Sequence, residues 1–298
     1  MASHVKSRLT AYLELSIAAI IWGISFIAIK IAVTEAPPAV IIWLRFTIGL
    51  VILFLYLLWR GQLKLPNRKD LPFLALLGFI GTSFHQWLQS TGLVTAQAST
   101  ASWLVSTSPI FMALLAGILF KEKIGRSSIL GIVLATLGVL LIVSNGTLAS
   151  VFNFSFGSVG NVLVLLSAIN WAVFSVLSRN ALNRYSPIFL LFYVMLFGCL
   201  FSSVHFLFNR GWIHLAQLSP SAWAAVAFLG AGCSFLAYLF WYDGLQIVGT
   251  TQSGVFLYIQ PLVSLVAAAV LLNEPITLPK LLGGSFILLG VWLVNRNQ

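Results

Sequence analysis

The chain contains ten apolar stretches, each long enough to cross a membrane as a helix, and short polar turns separate them. A transmembrane helix needs about 20 predominantly apolar residues to span a hydrocarbon core of roughly 30 Å. Charged residues make up 7% of the sequence and hydrophobic residues 60%, whereas a soluble domain has about 25% charged residues. The sequence therefore predicts an all-α integral membrane protein. Its ten predicted transmembrane helices cover residues 11–32, 38–59, 71–91, 98–120, 127–144, 157–178, 187–208, 221–242, 250–272 and 279–295.

The chain also carries an internal duplication, the kind of repeat that decides how a whole fold is interpreted. Residues 92–143 recur 152 positions later as residues 244–295, with 13 of 52 positions identical. Leucine-rich spans often match by accident, so the informative identities are Gly92/Gly244, Pro109/Pro261, Glu122/Glu274, Gly131/Gly283 and Gly138/Gly290. Further upstream the pairs are 149 positions apart, namely Trp22/Trp171, Lys30/Arg179, Pro38/Pro187 and Gly49/Gly198.

The duplication predicts two five-helix repeats, residues 1–148 and residues 149–298, within a single membrane domain. Because five is an odd number, the second repeat enters the membrane from the opposite side, and the repeats are inverted. Inverted repeats are the architecture of many transporters, whose substrate sites lie near the membrane midplane between the two repeats. We therefore expect alternating access through a central cavity between the repeats.

The net charge of +10 is explained by membrane topology, and no nucleic-acid partner is predicted. With the N-terminus inside, the cytoplasmic segments hold twelve basic residues, which are Lys6, Arg8, Arg60, Lys64, Arg68, Lys69, Lys121, Lys123, Arg126, Arg179, Arg184 and Arg296. The opposite side holds three, which are Lys30, Arg210 and Lys280. Basic residues concentrate on the cytoplasmic side of membrane proteins, so both termini are predicted to be cytoplasmic.

Two prolines occur in the middle of predicted spans rather than at their ends. Pro109 and Pro261 each lack the amide hydrogen that would bond to the carbonyl four residues earlier, at Val105 and Leu257. Such a proline kinks its helix. One kink in each repeat suits a site between the repeats, and we predict that both prolines act as gating hinges. The alternative is a packing kink without a functional role.

Several predicted helix faces combine aromatic rings with hydroxyl and amide groups, because residues three or four positions apart share a face. Such a lining suits a ligand with an apolar body and a polar end. The predicted substrate-binding residues are Trp22, Ser25, Phe26, His85, Gln86, Gln89, Ser99, Trp103, Trp171, Ser175, Tyr238, Trp241 and Tyr258. For each hydroxyl or amide, the alternative is ordinary hydrogen bonding between membrane helices.

Lys30 and Arg45 are predicted to lie near the cavity, because a charge inside a span faces a cavity or a partner. The acidic residues fall at span ends or in loops, at Glu14, Glu35, Asp70, Glu122, Asp243 and Glu274. Coupling through a buried carboxylate is therefore not expected, and the basic groups favour an anionic or zwitterionic substrate. His85 is the one mid-span residue of a type that can titrate near neutral pH, and the alternative is a neutral imidazole that is hydrogen-bonded to a neighbouring helix. No cofactor or metal site is predicted, since Cys199 and Cys233 lack ligand spacing.

A set of motifs appears in the first half and is echoed in the second: Trp22-Gly23-Ile24-Ser25-Phe26, Lys30, Gly92-Leu93, Pro109, Glu122, Gly131 and Gly138. In these motifs the chain resembles the EamA-type ten-span transporters of the drug/metabolite transporter superfamily, over nearly its whole length. Within that family it most resembles the YddG-type exporters of aromatic amino acids. The resemblance implies export of small amphipathic metabolites, above all aromatic or hydrophobic amino acids, across a bacterial inner membrane.

Three other functions are alternatives to this prediction. A broad exporter of drugs or cationic dyes belongs to the same superfamily, but the lack of a mid-span carboxylate disfavours cations. An integral membrane enzyme is disfavoured, because the sequence has no P-loop, HExxH, GxSxG or paired mid-span carboxylates. A channel would differ by sustained flux far above carrier rates.

Overall fold

The computed structural model describes residues 7–120, 126–147 and 157–295, and every regular element within these ranges is a helix. The first half holds α1 (Arg8–Val33), α2 (Pro38–Trp59), α3 (Leu71–Gly78), α4 (His85–Thr95), α5 (Ala98–Val105), α6 (Ser108–Phe120) and α7 (Arg126–Val143). The second half holds α8 (Val159–Ala181), α9 (Pro187–Phe208), α10 (Trp212–Leu215), α11 (Pro220–Ala227), α12 (Tyr238–Val248), α13 (Thr250–Phe256), α14 (Ile259–Leu271) and α15 (Leu278–Asn295). A single 3₁₀ turn, Arg68–Asp70, precedes α3.

Ten apolar helical segments are present in the described part of the chain, which confirms the predicted ten-helix membrane architecture. Eight are long and apolar enough to cross a membrane on their own. The other two, Ile129–Val143 within α7 and Leu278–Val294 within α15, are shorter. The predicted boundary that differs most from the structure is the end of the eighth span. It was predicted at residue 242, whereas α12 continues to Val248. The helix tolerates the polar Gln246 there, since its side-chain amide donates to the Leu182 carbonyl (3.1 Å).

Each of the two mid-span prolines lies at the start of a new helix. Pro109 follows the turn between α5 and α6, and Pro261 follows the turn between α13 and α14. In the first turn the Thr107 amide bonds three residues back to the Leu104 carbonyl (3.2 Å), and the turn at Tyr258 repeats this pattern. The predicted kinks are therefore present at equivalent positions, as short turns that interrupt the α-helical hydrogen bonds while Ser106, Leu257 and Tyr258 keep right-handed helical backbone angles.

The third and eighth spans each contain a π-helical segment that the sequence pattern does not predict. Phe79–Phe84 joins α3 to α4, and Phe228–Ala237 joins α11 to α12. A π segment departs from the regular hydrogen-bond ladder of the α-helix and is frequently found at functional sites. Both segments lie where their spans pass the centre of the molecule.

The helices α7 and α15 pack antiparallel along a seam of four glycines. Gly131 faces the carbonyl of Gly290, and Gly138 faces the carbonyl of Gly283. A side chain at any of these positions would overlap the backbone of the opposite helix. Small residues let membrane helices approach closely, which replaces the hydrophobic driving force that is absent in lipid. This seam holds the two shorter apolar helices together.

The buried apolar side chains form two clusters. The larger one surrounds Trp22 and Trp171 and draws on most of the helices. The smaller one contains Trp103 together with Ile287 and Val291 of α15. The centre of the molecule therefore lies in the larger cluster, away from the seam of α7 and α15.

Candidate functional site

A small cavity lies near the middle of the spans, beside both proline breaks. Its volume is about 30 Å³, which is room for about one water molecule. Sites for small molecules usually measure about 300–1,000 Å³, so this conformation holds the cavity contracted. The residues that line it are Trp22, Ser25, Phe26, Arg45, His85, Gln86, Gln89, Val105, Trp171, Tyr238, Leu257 and Gln260. We call this the central cavity.

The structure brings eight of the predicted substrate-binding residues together at the central cavity, and Arg45 with them. They are Trp22, Ser25, Phe26, His85, Gln86, Gln89, Trp171 and Tyr238. They come from α1, α4, α8 and α12, which are far apart in the sequence. The expectation that these helix faces converge is met for this group.

Aromatic rings form one wall of the central cavity. The Trp22 ring meets Trp171 edge-on, with centroids 5.3 Å apart, and Tyr238 likewise at 5.4 Å. On its other side Trp171 lies 5.0 Å from the His85 ring. Aromatic pairs favour such edge-to-face and tilted contacts. This wall offers flat apolar surfaces to a ring or another apolar group.

Arg45 supplies a buried positive charge to the lining of the central cavity. The side chain is 1% exposed. Its Nε donates to the Ser234 hydroxyl (3.0 Å) and its Nη1 donates to Gln86 Oε1 (2.7 Å). Both partners are neutral, and no carboxylate of the described residues forms an ion pair with this guanidinium. An unpaired charge is costly in a low-dielectric interior, so Arg45 favours an anionic group in the cavity.

Two polar atoms of the lining have no hydrogen-bond partner within the described residues. These are Nδ1 of His85 and Nε1 of Trp171. Both side chains are about 95% buried. Buried polar groups are normally satisfied, so a ligand or water in a wider cavity would find hydrogen-bonding groups here.

The π segments present backbone carbonyls to the cavity residues. The Tyr238 hydroxyl donates to the Gly81 carbonyl (3.0 Å), and Trp22 Nε1 donates to the Cys233 carbonyl (3.3 Å). Gly81 and Cys233 are 152 positions apart, which is the offset of the duplication. Equivalent carbonyls in the two halves therefore accept from two neighbouring aromatic side chains of the cavity.

The proline breaks also reach the cavity, through Val105 and Leu257. These are the residues whose carbonyls the prolines leave without an α-helical donor. The Ser108 hydroxyl donates to the Val105 carbonyl (2.6 Å), and the backbone N–H of Gln260 donates to the Leu257 carbonyl (3.2 Å). Replacement donors within the turns thus stabilise both breaks at the edge of the cavity.

Five predicted substrate-binding residues lie outside the lining of the central cavity in this conformation. Trp103 packs in the smaller apolar cluster and against Gly284 of α15, and Tyr258 packs against the same cluster. Trp241 stands behind the aromatic wall, 5.6 Å from Trp22 and from Trp171. Ser175 is fully buried in α8.

Ser99, the fifth of these residues, belongs to a polar cluster at the N-terminus of α5. The Glu274 carboxylate accepts from the amides of Ala98 (2.7 Å) and Ser99 (3.1 Å) and from the Ser99 hydroxyl (2.5 Å). Lys280 Nζ donates to the same hydroxyl (2.8 Å) and lies 3.9 Å from Glu274. A carboxylate at a helix N-terminus is favourable. We call this group the Glu274 latch, because it joins the loop between α14 and α15 to α5.

Lys30, predicted near the cavity, instead binds the C-terminal end of α4. Its Nζ donates to the carbonyls of Leu93 (2.8 Å), Val94 (3.3 Å) and Ala96 (2.8 Å). A cation suits the negative end of a helix. Glu14, predicted at a span end, lies in the second turn of α1 and is only 9% exposed. Glu122, in contrast, lies outside the described residues.

A larger cavity of about 520 Å³ lies on the outer surface between α2, α4 and α9. Phenylalanine side chains dominate its lining, together with Trp87 and His205. Its lining is mostly apolar, and its polar side chains are Ser83, Ser202 and His205, so it offers few groups that would orient a ligand.

Sequence reasoning missed three residues of the lining, Val105, Leu257 and Gln260. The sequence identifies Val105 and Leu257 only as the residues whose carbonyls lose their hydrogen-bond donor to the prolines. Gln260 directly precedes Pro261, and a polar residue beside a mid-span proline was a signal that could have found it.

Comparison with known proteins gives one family. Residues 9–144 and residues 158–296 each match the profile of the EamA-like transporter family. A protein of Archaeoglobus fulgidus called an uncharacterized transporter is 31% identical over 96% of this chain and 99% of its own length.

A second relative has a more specific name. A probable terminal-alkyne amino-acid exporter of Streptantibioticus cattleyicolor is 29% identical over 92% of this chain and 90% of its own. Among solved structures, one crystal structure superposes with a TM-score of 0.69 at 21% identity, covering 96% of both chains. At that identity the superposition supports the fold alone.

Proposed function

The chain belongs to the EamA-like transporter family, and we propose that it exports aromatic or other hydrophobic amino acids through the central cavity. Transport is the function of the family. The substrate class is our proposal, and it agrees with the name of the exporter from Streptantibioticus cattleyicolor.

The observation that carries the proposal is the pairing of an aromatic wall with an unpaired guanidinium in one cavity. Trp22, Trp171 and Tyr238 provide surfaces for an aromatic side chain. Arg45 provides a partner for an α-carboxylate, because a guanidinium binds carboxylates through two parallel hydrogen bonds. Neutral acceptors such as Gln89 and Gln260 line the same space and suit the ammonium group.

Alternating access follows from two features, the contracted cavity and the paired contacts of the two halves. A cavity of about 30 Å³ is far below the usual size of ligand sites, so binding requires the helices to move apart. We propose that the halves are inverted repeats and that the breaks at Pro109 and Pro261 are the hinges. Matching breaks, matching π segments and the antiparallel seam of α7 and α15 support this arrangement. Inverted repeats allow one half to take up the conformation of the other.

We further propose that the chain lies in a bacterial inner membrane with both termini in the cytoplasm. The support is the distribution of basic residues, twelve against three, along the predicted loops. Basic loops remain on the cytoplasmic side during insertion. The direction of net flux then follows from the substrate gradient.

Counterflow in proteoliposomes tests the substrate class. Vesicles loaded with unlabelled phenylalanine should take up labelled phenylalanine saturably with the wild type and lose this exchange with Trp171→Ala. Trp212→Ala is the matched control, because Trp212 is 52% exposed on the outer surface. Absence of exchange by folded wild type would contradict the amino-acid proposal and direct the same assay to cationic drugs and dyes.

Two analogues then test the role of the cavity charge. Phenylethylamine lacks the carboxylate, and phenylpropionate lacks the ammonium group. Because a hydrogen bond to a charged group is worth about 1.5–3 kcal/mol, phenylethylamine should compete at least about tenfold less well than phenylalanine. Equal competition by phenylethylamine would favour the drug-exporter alternative.

A further inference from the structure

Five buried polar side chains next to the central cavity have no hydrogen-bond partner within the described residues. They are Ser175, Ser178, Trp241, Tyr242 and Ser253. Each is at most 1% exposed. The Tyr242 hydroxyl approaches that of Ser178, but the contact falls outside hydrogen-bond geometry. An unsatisfied buried group loses the hydrogen bond it had with water, so a cluster of them requires an explanation.

The five side chains lie on the parts of α8, α12 and α13 that run from the central cavity to one end of these helices, and we call them a layer for this reason. Trp241 packs on Trp171 of the cavity (5.6 Å), and the Tyr242 ring lies 6.2 Å from Phe174. Ser175 and Ser178 precede the end of α8 at Ala181, and Ser253 lies in the first turn of α13. The layer therefore leads from the cavity towards the ends of α8 and α12.

These ends lie at the same face as the start of α1. Gly244 of α12 packs against Leu15, and the ring of Phe256 stacks on that of Tyr12 at 5.5 Å. We call this the N-terminal face. At the opposite face the Glu274 latch joins the loop between α14 and α15 to the start of α5.

We propose that Ser175, Ser178, Trp241, Tyr242 and Ser253 form a second binding site, for the carboxylate of the transported substrate, on its route between the central cavity and the N-terminal face. This inference rests on the proposed function. All five side chains can donate a hydrogen bond, the Trp241 indole N–H can only donate, and none of the five is acidic, so together they suit an accepting group such as a carboxylate. In the contracted conformation the helices close over this site and leave its donors without partners.

Cysteine accessibility tests this site in the full-length protein. The background is Cys199→Ala with Cys233→Ala, which removes both native cysteines, and each variant must retain counterflow. We expect Ser178→Cys and Ser253→Cys to react with a membrane-impermeant thiol reagent added from the N-terminal face. Saturating phenylalanine should protect both positions. Ser167→Cys is the control, because Ser167 is equally buried in α8 but its hydroxyl is satisfied by the Val164 carbonyl (2.6 Å).

Three results would overturn the proposal in distinguishable ways. If Ser178→Cys reacts no faster than Ser167→Cys in a protein that still exchanges, the route does not pass this layer. Reaction without protection by substrate would make the layer a water path and not a binding site. Absence of any phenylalanine exchange by folded wild type would contradict the proposed function itself. A separate Ser178→Ala variant should raise the concentration for half-maximal exchange about tenfold, the loss expected for a hydrogen bond to a carboxylate, while Ser167→Ala should not.

Discussion

Tyr238 donates its phenolic hydrogen to the backbone carbonyl of Gly81 across 3.0 Å, and this bond ties the start of α12 to the π segment of the third span. The hydroxyl and the carbonyl are both in the interior. The bond therefore joins the third and eighth spans through a backbone carbonyl of the π segment.

Tyr238→Phe should remove this bond while keeping the ring against Trp22. The expected loss is about 0.5–1.5 kcal/mol of unfolding free energy, because one buried hydrogen bond is removed. Thermal unfolding in detergent measures it. Tyr56→Phe is the control, since Tyr56 is only partly buried on α2. Equal midpoint temperatures of thermal unfolding for the two variants would mean that water or another donor replaces the Tyr238 hydroxyl.

Arg45→Gln should abolish the preference for substrates with a carboxylate. Wild type is expected to discriminate phenylalanine from phenylethylamine at least about tenfold, and the variant should treat both alike. Ser234→Ala is the matched control, because it removes one hydrogen bond of Arg45 and leaves the charge. A variant that retains the preference would show that Arg45 has a structural role only.

Glu274→Gln should loosen the Glu274 latch and favour the state open at the opposite face. The amide keeps one acceptor oxygen, whereas the carboxylate presents two to the amides of Ala98 and Ser99. A cysteine at Thr100, in the cysteine-free background, should then react faster with an impermeant reagent added from that face. Glu274→Asp should give an intermediate rate. An unchanged rate in Glu274→Gln would mean that other contacts close this face.

Gly138→Ala should destabilise the protein, because the new methyl group would overlap the Gly283 carbonyl across the seam. Overpacking typically costs about 1–3 kcal/mol, which lowers the midpoint by roughly 2–4 °C per kcal/mol in a chain of this size class. Gly232→Ala is the control, because its added methyl group would meet only side chains, the Phe228 ring at 3.3 Å and Ile21 at 3.7 Å. Similar midpoints for both variants would contradict the close approach of α7 and α15.

The link between Glu35 and Ser219 should weaken in acid. The Glu35 carboxylate accepts from the Ser219 hydroxyl (2.6 Å) and amide (2.8 Å), and these bonds hold the pKa of Glu35 below its usual 4.5. A lowered pKa means that the stabilisation is complete above pH 4.5 and is lost as the pH falls through the lowered value. Wild type should therefore lose more stability between pH 5 and pH 3 than Glu35→Gln does. Parallel losses would mean that this contact contributes nothing measurable.

The ten spans were predictable because helix length and apolarity are local properties of the sequence. Eight lining residues were predictable as well, because aromatic and polar residues three or four positions apart mark a helix face. The positions of Lys30 and Ser99 were not, since each depends on which distant helix end lies nearby. The sequence pattern around a basic or hydroxyl side chain is the same whether the side chain lines a cavity or caps a helix.

The π segments illustrate another limit. A π segment inserts one residue into a helix without altering its composition, so the apolar pattern continues through Phe79–Phe84 unchanged. The segment directly precedes His85 and Gln86, which line the central cavity.

The glycine seam between α7 and α15 has a self-complementary pattern. Gly131 and Gly283 are equivalent positions in the duplication, as are Gly138 and Gly290, and the contacts join Gly131 to Gly290 and Gly138 to Gly283. In both contacts a glycine of one half therefore meets the duplicate of the other glycine in its own half. A two-fold axis imposes this pattern on an interface between identical chains. A single five-helix unit with the sequence of either half would present both sides of this seam on one helix. Two such units, inserted in opposite directions, could join along it before any peptide linked them.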